Sequence, residues 1–179
     1  MKVIYLASFQ ALHSRFDVTY QDINGKRDIG GDMLDVDLTP YDVIIATPPC
    51  NYYSRANWRR ETSQYSLITR HLLPSIIKKL SLQDKPFIIE NVINKKLILP
   101  LVPTDVIYLE HGRHCYITNV LFNPYGIDQI DDLENRIIQS GKYKGKIGTF
   151  APNSKRQGGI NVHKVIDYWL DIVNSLTIK

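Results

Sequence analysis

Cysteine and long apolar runs are both scarce in this sequence of 179 residues. Its two cysteines, Cys50 and Cys115, are too few for a disulfide framework and do not have the spacing of a zinc site. No run approaches the roughly 20 apolar residues of a membrane-spanning helix, and the N-terminal apolar stretch is too short for a secretion signal. We therefore expect a cytoplasmic protein with reduced thiols, no bound metal and no membrane contact.

Acidic side chains are scarce in two parts of the chain. The net charge is only +4, but residues 43–83 contain six basic side chains and one acid, Glu61, and residues 141–166 contain six basic side chains and no acid. Such segments suit a polyanion, for example nucleic acid. Basic clusters also occur on ordinary solvated surfaces, so charge alone leaves both interpretations open.

Apolar runs of strand length alternate with helical patterns. The predicted strands are residues 3–8, 16–22, 41–46, 86–90 and 115–120. Residues 65–80 repeat apolar side chains at helical spacing, and Pro74 should kink or divide that helix. Residues 162–176 carry a second amphipathic pattern, for which Asn161 is the expected N-cap. This alternation predicts an α/β fold with a mostly parallel sheet and helices on both faces.

Two reactive side chains stand at the ends of predicted strands. Ligands bind beyond the carboxyl ends of strands in such sheets, so Cys50 and Glu90 could face one pocket. Cys50 could be a nucleophile whose pKa is lowered by a following helix and by Arg55 and Arg59, or a small core residue. Glu90 could hold or protonate a substrate, or it could be a capping carboxylate.

The residues around Cys50 and Glu90 resemble two motifs of a known family. Residues 47–56, Thr-Pro-Pro-Cys-Asn-Tyr-Tyr-Ser-Arg-Ala, resemble the Pro-Cys nucleophile motif of DNA cytosine-5 methyltransferases, and especially of short phage-type members. Residues 90–92, Glu-Asn-Val, resemble the family's second signature. The chain between the motifs leaves room for one helix and one strand, as the family requires. The resemblance covers residues 42–94 well and weakens elsewhere.

The resemblance implies a Rossmann-like class I methyltransferase fold and a reaction on DNA. Cys50 would add to C6 of a cytosine flipped out of the duplex, which activates C5 toward the methyl group of S-adenosylmethionine. Glu90 would hold the N3 and amino edge of the base. Arg113 corresponds to one arginine of the family's Arg-x-Arg strand. The second arginine position falls on His114 or Cys115, depending on the register.

The resemblance also implies a donor site and a DNA surface. Asp22 would meet the ribose hydroxyls and Asp32 the adenine amine. The predicted donor-binding residues are Ala7, Ser8, Asp22, Asp32 and Pro48. The basic and polar side chains that follow the cysteine, interleaved with aromatic ones, would contact phosphates and unstacked bases. These predicted DNA contacts are Asn51, Ser54, Arg55, Arg59 and Arg60.

The sequence departs from the family at the turn after the first strand. The family has a glycine-rich turn there, which lets the backbone approach the donor closely. Residues 7–13 contain no glycine. Ala7 and Ser8 are small, so a tight turn remains feasible.

The chain is also short for this family. We predict a single compact domain over residues 1–179, in which only residues 121–146 could form a small insertion in place of a target-recognition domain. Target specificity would be low, or a partner subunit would supply it. Three functions remain open. The first is a small DNA methyltransferase of viral or mobile-element origin, active in a bacterial or phage-infected cell. The others are a different pyrimidine C5-modifying enzyme, and a DNA-binding or regulatory homologue without donor binding.

Overall fold

The computed structural model describes residues 1–8, 12, 15–124, 134–137, 147–150 and 159–177. Its strands are β1 (Lys2–Leu6), β2 (Asp17–Asp22), β3 (Ile29–Gly30), β4 (Val43–Ala46), β5 (Phe87–Val92), β6 (Ile107–His111), β7 (His114–Thr118), β8 (Glu134–Ile137) and β9 (Ile147–Phe150). Its helices are α1 (Gln64–Thr69), α2 (Leu72–Ser81), α3 (Lys95–Ile98) and α4 (Gly159–Thr177), and a 3-10 turn follows α3 at Leu99–Leu101.

Seven of these strands form one sheet in the order β3-β2-β1-β4-β5-β7-β6. Neighbouring strands from β3 to β5 are parallel, and β7 runs antiparallel to both β5 and β6. The predicted mostly parallel sheet is therefore confirmed. The chain moves outward from β1 to β3 and then returns to the other side of β1 at β4. The strand order thus reverses between β1 and β4, where open α/β sheets place their ligands.

Helices cover both faces of the sheet, as the sequence predicts. On one face α2 buries Leu73, Ile76, Ile77 and Leu80 against alternate residues of the central strands. On the other face α4 buries Val165, Ile166, Trp169 and Val173 against the intervening residues. The four residues of β4 are all buried, because this central strand is covered on both sides. No helix formed by the described residues is long and apolar enough to cross a bilayer.

The helical region before β5 is divided, as Pro74 predicts. The backbone of Arg70 and His71 keeps right-handed helical dihedral angles between α1 and α2. Pro74 has no N–H to donate to the carbonyl of Arg70, which would be its partner in a continuous helix. The hydroxyl of the buried Tyr53 donates to that carbonyl instead, at 2.7 Å. A side chain from the loop after Cys50 therefore completes the helix break.

Two details differ from the sequence predictions or lie outside the described residues. Asn161 is not the N-cap of α4, because the helix begins two residues earlier, at Gly159. Glycine and asparagine both favour helix ends, so the sequence pattern does not separate the two positions. Most of the predicted insertion at 121–146 and of the basic segment at 141–166 lies outside the described residues; β8 and β9 there form a two-stranded antiparallel sheet.

Candidate active site at the carboxyl ends of β4 and β5

The loop that carries Cys50 is tied to the strands on both sides of β4. The main-chain N–H of Thr47 donates to Leu6 at 3.1 Å, and its hydroxyl donates to the carbonyl of Ala7 at 2.9 Å. On the β5 side, the buried Asn91 side chain donates to the carbonyl of Pro48 at 3.1 Å. Cys50 is thereby held between the carboxyl ends of β1 and β5.

Cys50 is partly exposed, and its environment opposes the thiolate. Burial raises the pKa of its thiol, and the charge of Glu90 raises it further. The expectation that a following helix, Arg55 and Arg59 lower this pKa is wrong. A turn follows Cys50, with Tyr53 and Ser54 donating to its carbonyl, and no helix begins before Gln64.

Glu90 lies buried in β5 beside His114 of β7. Nδ1 of His114 is 2.5 Å from the Glu90 carboxylate, and their side chains are only 19% and 10% exposed. Because an ionised carboxylate only accepts hydrogen bonds, the imidazole donates. Tyr5 of β1 and Tyr116 of β7 are fully buried. Burial raises the pKa of both hydroxyls, and the charge of Glu90 adds to that effect.

The structure places the residues of the predicted Arg-x-Arg strand on different sides of β7. Arg113 is exposed in the tight turn between β6 and β7, and its carbonyl accepts a hydrogen bond from Ile93. His114 contacts Glu90. Cys115 faces the α2 side, where its thiol contacts the Val92 carbonyl at 3.4 Å and burial raises its pKa to about 12. Of the two candidates for the second arginine position, His114 is the one at the site.

The turn after β1 takes a left-handed conformation although it has no glycine. Ala7 has a φ of 51°, a value that residues with a Cβ rarely adopt. Its N–H donates to the side chain of Gln21 at 2.8 Å, and Ser8 donates to the main chain of Gln21 at 2.9 Å. These bonds, together with that from Thr47, hold the turn in the form that glycine usually provides.

Gln21 links the predicted donor-site residues and was missed by sequence analysis. It is almost fully buried, and while its side-chain oxygen accepts from Ala7, its amide donates to the carbonyl of Gly31 at 2.5 Å. Asp22 is the next residue and ends β2, and Asp32 accepts from the N–H of Leu34 at 2.9 Å. No sequence signal marks Gln21, because β2 is polar and partly exposed along its length and Gln21 is its only buried residue.

Asp32 and Gly31 also line an open cavity of about 470 Å³ beside β3, together with Asp35 and Asp37. Gly31, one of its lining residues, accepts the hydrogen bond from the Gln21 side chain. Among the described residues, no group of three histidine, cysteine, aspartate or glutamate side chains is placed to hold a metal ion.

The loop of residues 51–63 presents cations and an aromatic ring to solvent. Trp58 is 80% exposed, and the guanidinium of Arg59 lies 4.4 Å from the centre of its ring. Asn51 and Arg55 are also exposed. Arg60 differs from them, because its guanidinium donates to the carbonyls of Ser54 and Asn57 within the loop. Arg60 therefore shapes the loop, while the others face outward.

Helix α1, next to this loop, buries polar side chains and exposes apolar ones. Its buried residues are Ser66 and Thr69, whereas Tyr65 and Ile68 are 56% and 61% exposed. The side chain of Asn57 donates to the hydroxyl of Ser66 at 2.9 Å, so the loop and the helix share one surface. Exposed aromatic and aliphatic groups beside arginines are typical of a binding surface rather than of a solvated face.

Comparison with known proteins gave no further assignment: the chain matches no protein-family model and no curated protein sequence.

Proposed function

We propose that this protein is a DNA cytosine-5 methyltransferase-like enzyme with a Rossmann-like class I methyltransferase fold. Cys50 adds to C6 of a flipped cytosine, and C5 then accepts a methyl group. One observation carries the proposal. The charge of Glu90 adds to burial in raising the pKa of the Cys50 thiol, and the Asn91 side chain ties β5 to the Thr-Pro-Pro-Cys loop. A nucleophile and a base-holding carboxylate thus share one site at the carboxyl ends of adjacent strands.

The residues of this site have complementary tasks in the proposed reaction. As the Cys50 thiolate, whose proton has gone to solvent, forms the Sγ–C6 bond, the electrons of the C5–C6 double bond shift through the ring toward N3, which takes up a proton from solvent. Glu90 binds the protonated N3 and the amino group, and it stabilises the charge that develops there. When the proton at C5 and the proton at N3 are lost to solvent, the thiolate leaves C6 and the free enzyme is restored.

The residues after β1 fit a nucleoside donor. The left-handed turn at Ala7 lies at the carboxyl end of β1, at the point where the strand order reverses. Asp22 ends β2 and Asp32 follows β3 along the same edge, and Gln21 connects them to the turn. Asp22 would bind ribose hydroxyls and Asp32 the adenine amine. S-adenosylmethionine bound there would supply the methyl group.

The loop of residues 51–63 and α1 supply a surface for the DNA strand. Arg55 and Arg59 suit phosphates, and the exposed ring of Trp58 suits an unstacked base. This surface begins directly after Cys50, so a strand bound there would present its base to the thiol.

The test is covalent trapping on an oligonucleotide that contains 5-fluorocytosine, with S-adenosylmethionine present. Fluorine at C5 cannot leave as a proton does, so the Sγ–C6 bond persists after methyl transfer. We expect an adduct that survives denaturation, disappears in Cys50→Ser and persists in Cys115→Ala, which removes the other thiol.

Each other outcome of the trapping experiment is informative. Wild-type protein that binds the oligonucleotide without an adduct would contradict the proposal and favour a DNA-binding homologue. An adduct that persists in Cys50→Ser would contradict the assignment of the nucleophile. An adduct on a free pyrimidine nucleotide but not on DNA would favour another C5-modifying enzyme.

A further inference from the structure

The partner of Glu90 is a histidine, a side chain that exists in a charged and an uncharged form. Strands β5 and β7 are antiparallel, with Glu90 opposite Tyr116 and Val92 opposite His114. The side chain of His114 therefore lies on the same face of the sheet as that of Glu90, and its Nδ1 is 2.5 Å from the Glu90 carboxylate. Histidine is the side chain whose ordinary titration falls between pH 5 and 8, whereas arginine stays charged.

Acidic groups surround Glu90 from several elements. Cys50 lies in the loop after β4, Tyr5 in β1, and Tyr116 and Cys115 in β7, and the charge of Glu90 raises the pKa of each in addition to burial. None of these four groups can carry a positive charge. In the hairpin, His111 pairs with His114 and Arg113 precedes it in the exposed turn. The hydrogen bond described for the Glu90 carboxylate joins it to His114, whose imidazole is a cation when it is protonated.

We propose that His114 is a positioning residue that makes the Cys50–Glu90 site sensitive to pH, a point that rests on the proposed function. Protonated His114 balances the charge of Glu90, so the carboxylate and the Cys50 thiolate can exist together. Neutral His114 leaves two negative charges facing each other in a buried site, which disfavours attack on the base. A guanidinium at this position would hold its charge throughout, and the site would lose this dependence.

Two experiments on purified full-length protein test this inference. The first measures the rate of Cys50 alkylation by iodoacetamide as a function of pH and needs no DNA. In His114→Arg the permanent charge should move the profile to lower pH. In His114→Gln, which keeps a donor but no charge, the profile should not move to lower pH, and a shift in that direction would overturn the inference. An alkylation profile in His114→Arg that coincides with the wild type would overturn the inference.

The second experiment measures the rate of adduct formation on 5-fluorocytosine DNA across the same pH range. The wild-type rate should level off at a lower pH than the His114→Arg rate, because an imidazole can lose its charge and a guanidinium cannot. The rate in His114→Arg should continue to rise until Cys50 is ionised. The rate in His114→Gln should be roughly 10- to 100-fold lower at neutral pH, as expected when a hydrogen bond from a charged donor is weakened. Equal pH profiles for wild type and His114→Arg would also overturn the inference.

The two readouts separate this inference from the proposed function. A shifted alkylation profile without any adduct in the wild type would contradict cytosine chemistry but support the coupling of His114, Glu90 and Cys50. An adduct in the wild type with no effect of His114→Arg on either profile would support cytosine chemistry and contradict the coupling of the three residues. Circular dichroism of both variants shows whether the larger guanidinium is accommodated, and His114→Gln, closer in size to histidine, remains a test if it is not.

Discussion

Ala7 adopts a backbone conformation that residues with a Cβ normally avoid. A left-handed conformation costs such a residue about 1–2 kcal/mol. The hydrogen bonds to Gln21 and from Thr47 impose it here. Ala7 thus shows how a turn without glycine can take the left-handed form of a glycine turn. Replacing Ala7 with glycine measures the energetic cost of that form.

Ala7→Gly should therefore stabilise the protein. Glycine relieves the strain but loses more entropy on folding, about 0.5–1 kcal/mol, so a net gain of about 0.5–1 kcal/mol in the free energy of unfolding is expected by denaturant titration. Ala56→Gly is the matched control, because Ala56 lies exposed in a turn with φ outside the left-handed region, and it should give no gain. A destabilised Ala7→Gly protein would show that the turn is unstrained.

Glu90→Gln should make Cys50 more reactive toward a simple alkylating agent. The carboxylate is one cause of the raised thiol pKa, so removing its charge lowers that pKa and increases the thiolate fraction at any pH below it. The rate of iodoacetamide modification at pH 7.5 should rise several-fold. Cys115 is buried with a pKa of about 12 and serves as the unreactive internal reference. An unchanged rate at Cys50 would mean that Glu90 does not act on it.

Residue identities at the site could be predicted only where the chain pattern marks them. Cys50 and Glu90 end strongly apolar runs, so their place at the carboxyl edge follows from sequence. His114 could not be separated from Cys115, because a shift of one residue in a strand moves a side chain to the other face. Gln21 escaped notice because its partners, Ala7 and Gly31, come from segments that only the folded sheet brings together.

Among the secondary-structure elements, the break between α1 and α2 depends on Tyr53 and Pro74 together. Tyr53→Phe removes the only hydroxyl shown to donate to the Arg70 carbonyl among the described contacts, and it should cost about 1–2 kcal/mol of unfolding free energy. Pro74→Ala restores an N–H that can reach the same carbonyl, since the backbone there is already helical. The double variant should then lose less than the sum of the single changes.

A double-mutant cycle by urea denaturation measures this coupling. An interaction energy of about 1 kcal/mol is expected, within the range seen for residues that share a partner. The cycle subtracts the effect of proline on the unfolded chain, which appears in both Pro74→Ala proteins. Strict additivity would show that the hydroxyl and the missing N–H do not compete for one carbonyl.

The loop of residues 51–63 and α1 should bind single-stranded DNA through Trp58. Loss of base stacking in Trp58→Ala should weaken binding about tenfold or more. Leu82→Ala is the control. Leu82 is 76% exposed, but it follows α2 and precedes β5, so it lies toward the amino end of that strand and not at the carboxyl ends that form the site. The anisotropy of a fluorescein-labelled oligonucleotide measures both affinities, because Trp58→Ala leaves only the buried Trp169 and so has no exposed tryptophan to report binding. Equal affinities of the two variants would exclude Trp58 from the interface.

At the scale of the whole molecule, the sequence predicts the layers of the fold better than its edges. The central strands β1, β4 and β5 and the division at Pro74 follow from apolar runs and from one proline, because burial on both faces leaves a strong pattern. The two-residue β3 and the turn at Gly112 leave weak local signals, since their pairing depends on neighbours distant in sequence. The antiparallel direction of β7 is likewise set by the hairpin with β6.

The proposed donor site belongs to the whole sheet edge, since it would need β1, β2 and the turn after β3 at once. S-adenosylmethionine at about 100 times its dissociation constant should stabilise the folded protein by about 2.7 kcal/mol, which corresponds to a Tm increase of roughly 5–10 °C for a chain of this size. Asp32→Asn should remove this increase. An asparagine oxygen can still accept from Leu34, so the turn is kept, but its amide would face the adenine amine as a second donor. Differential scanning calorimetry with and without the ligand measures both proteins. A wild-type Tm that millimolar S-adenosylmethionine leaves unchanged would contradict a donor site at this edge, and an equal shift in Asp32→Asn would move the adenine contact elsewhere.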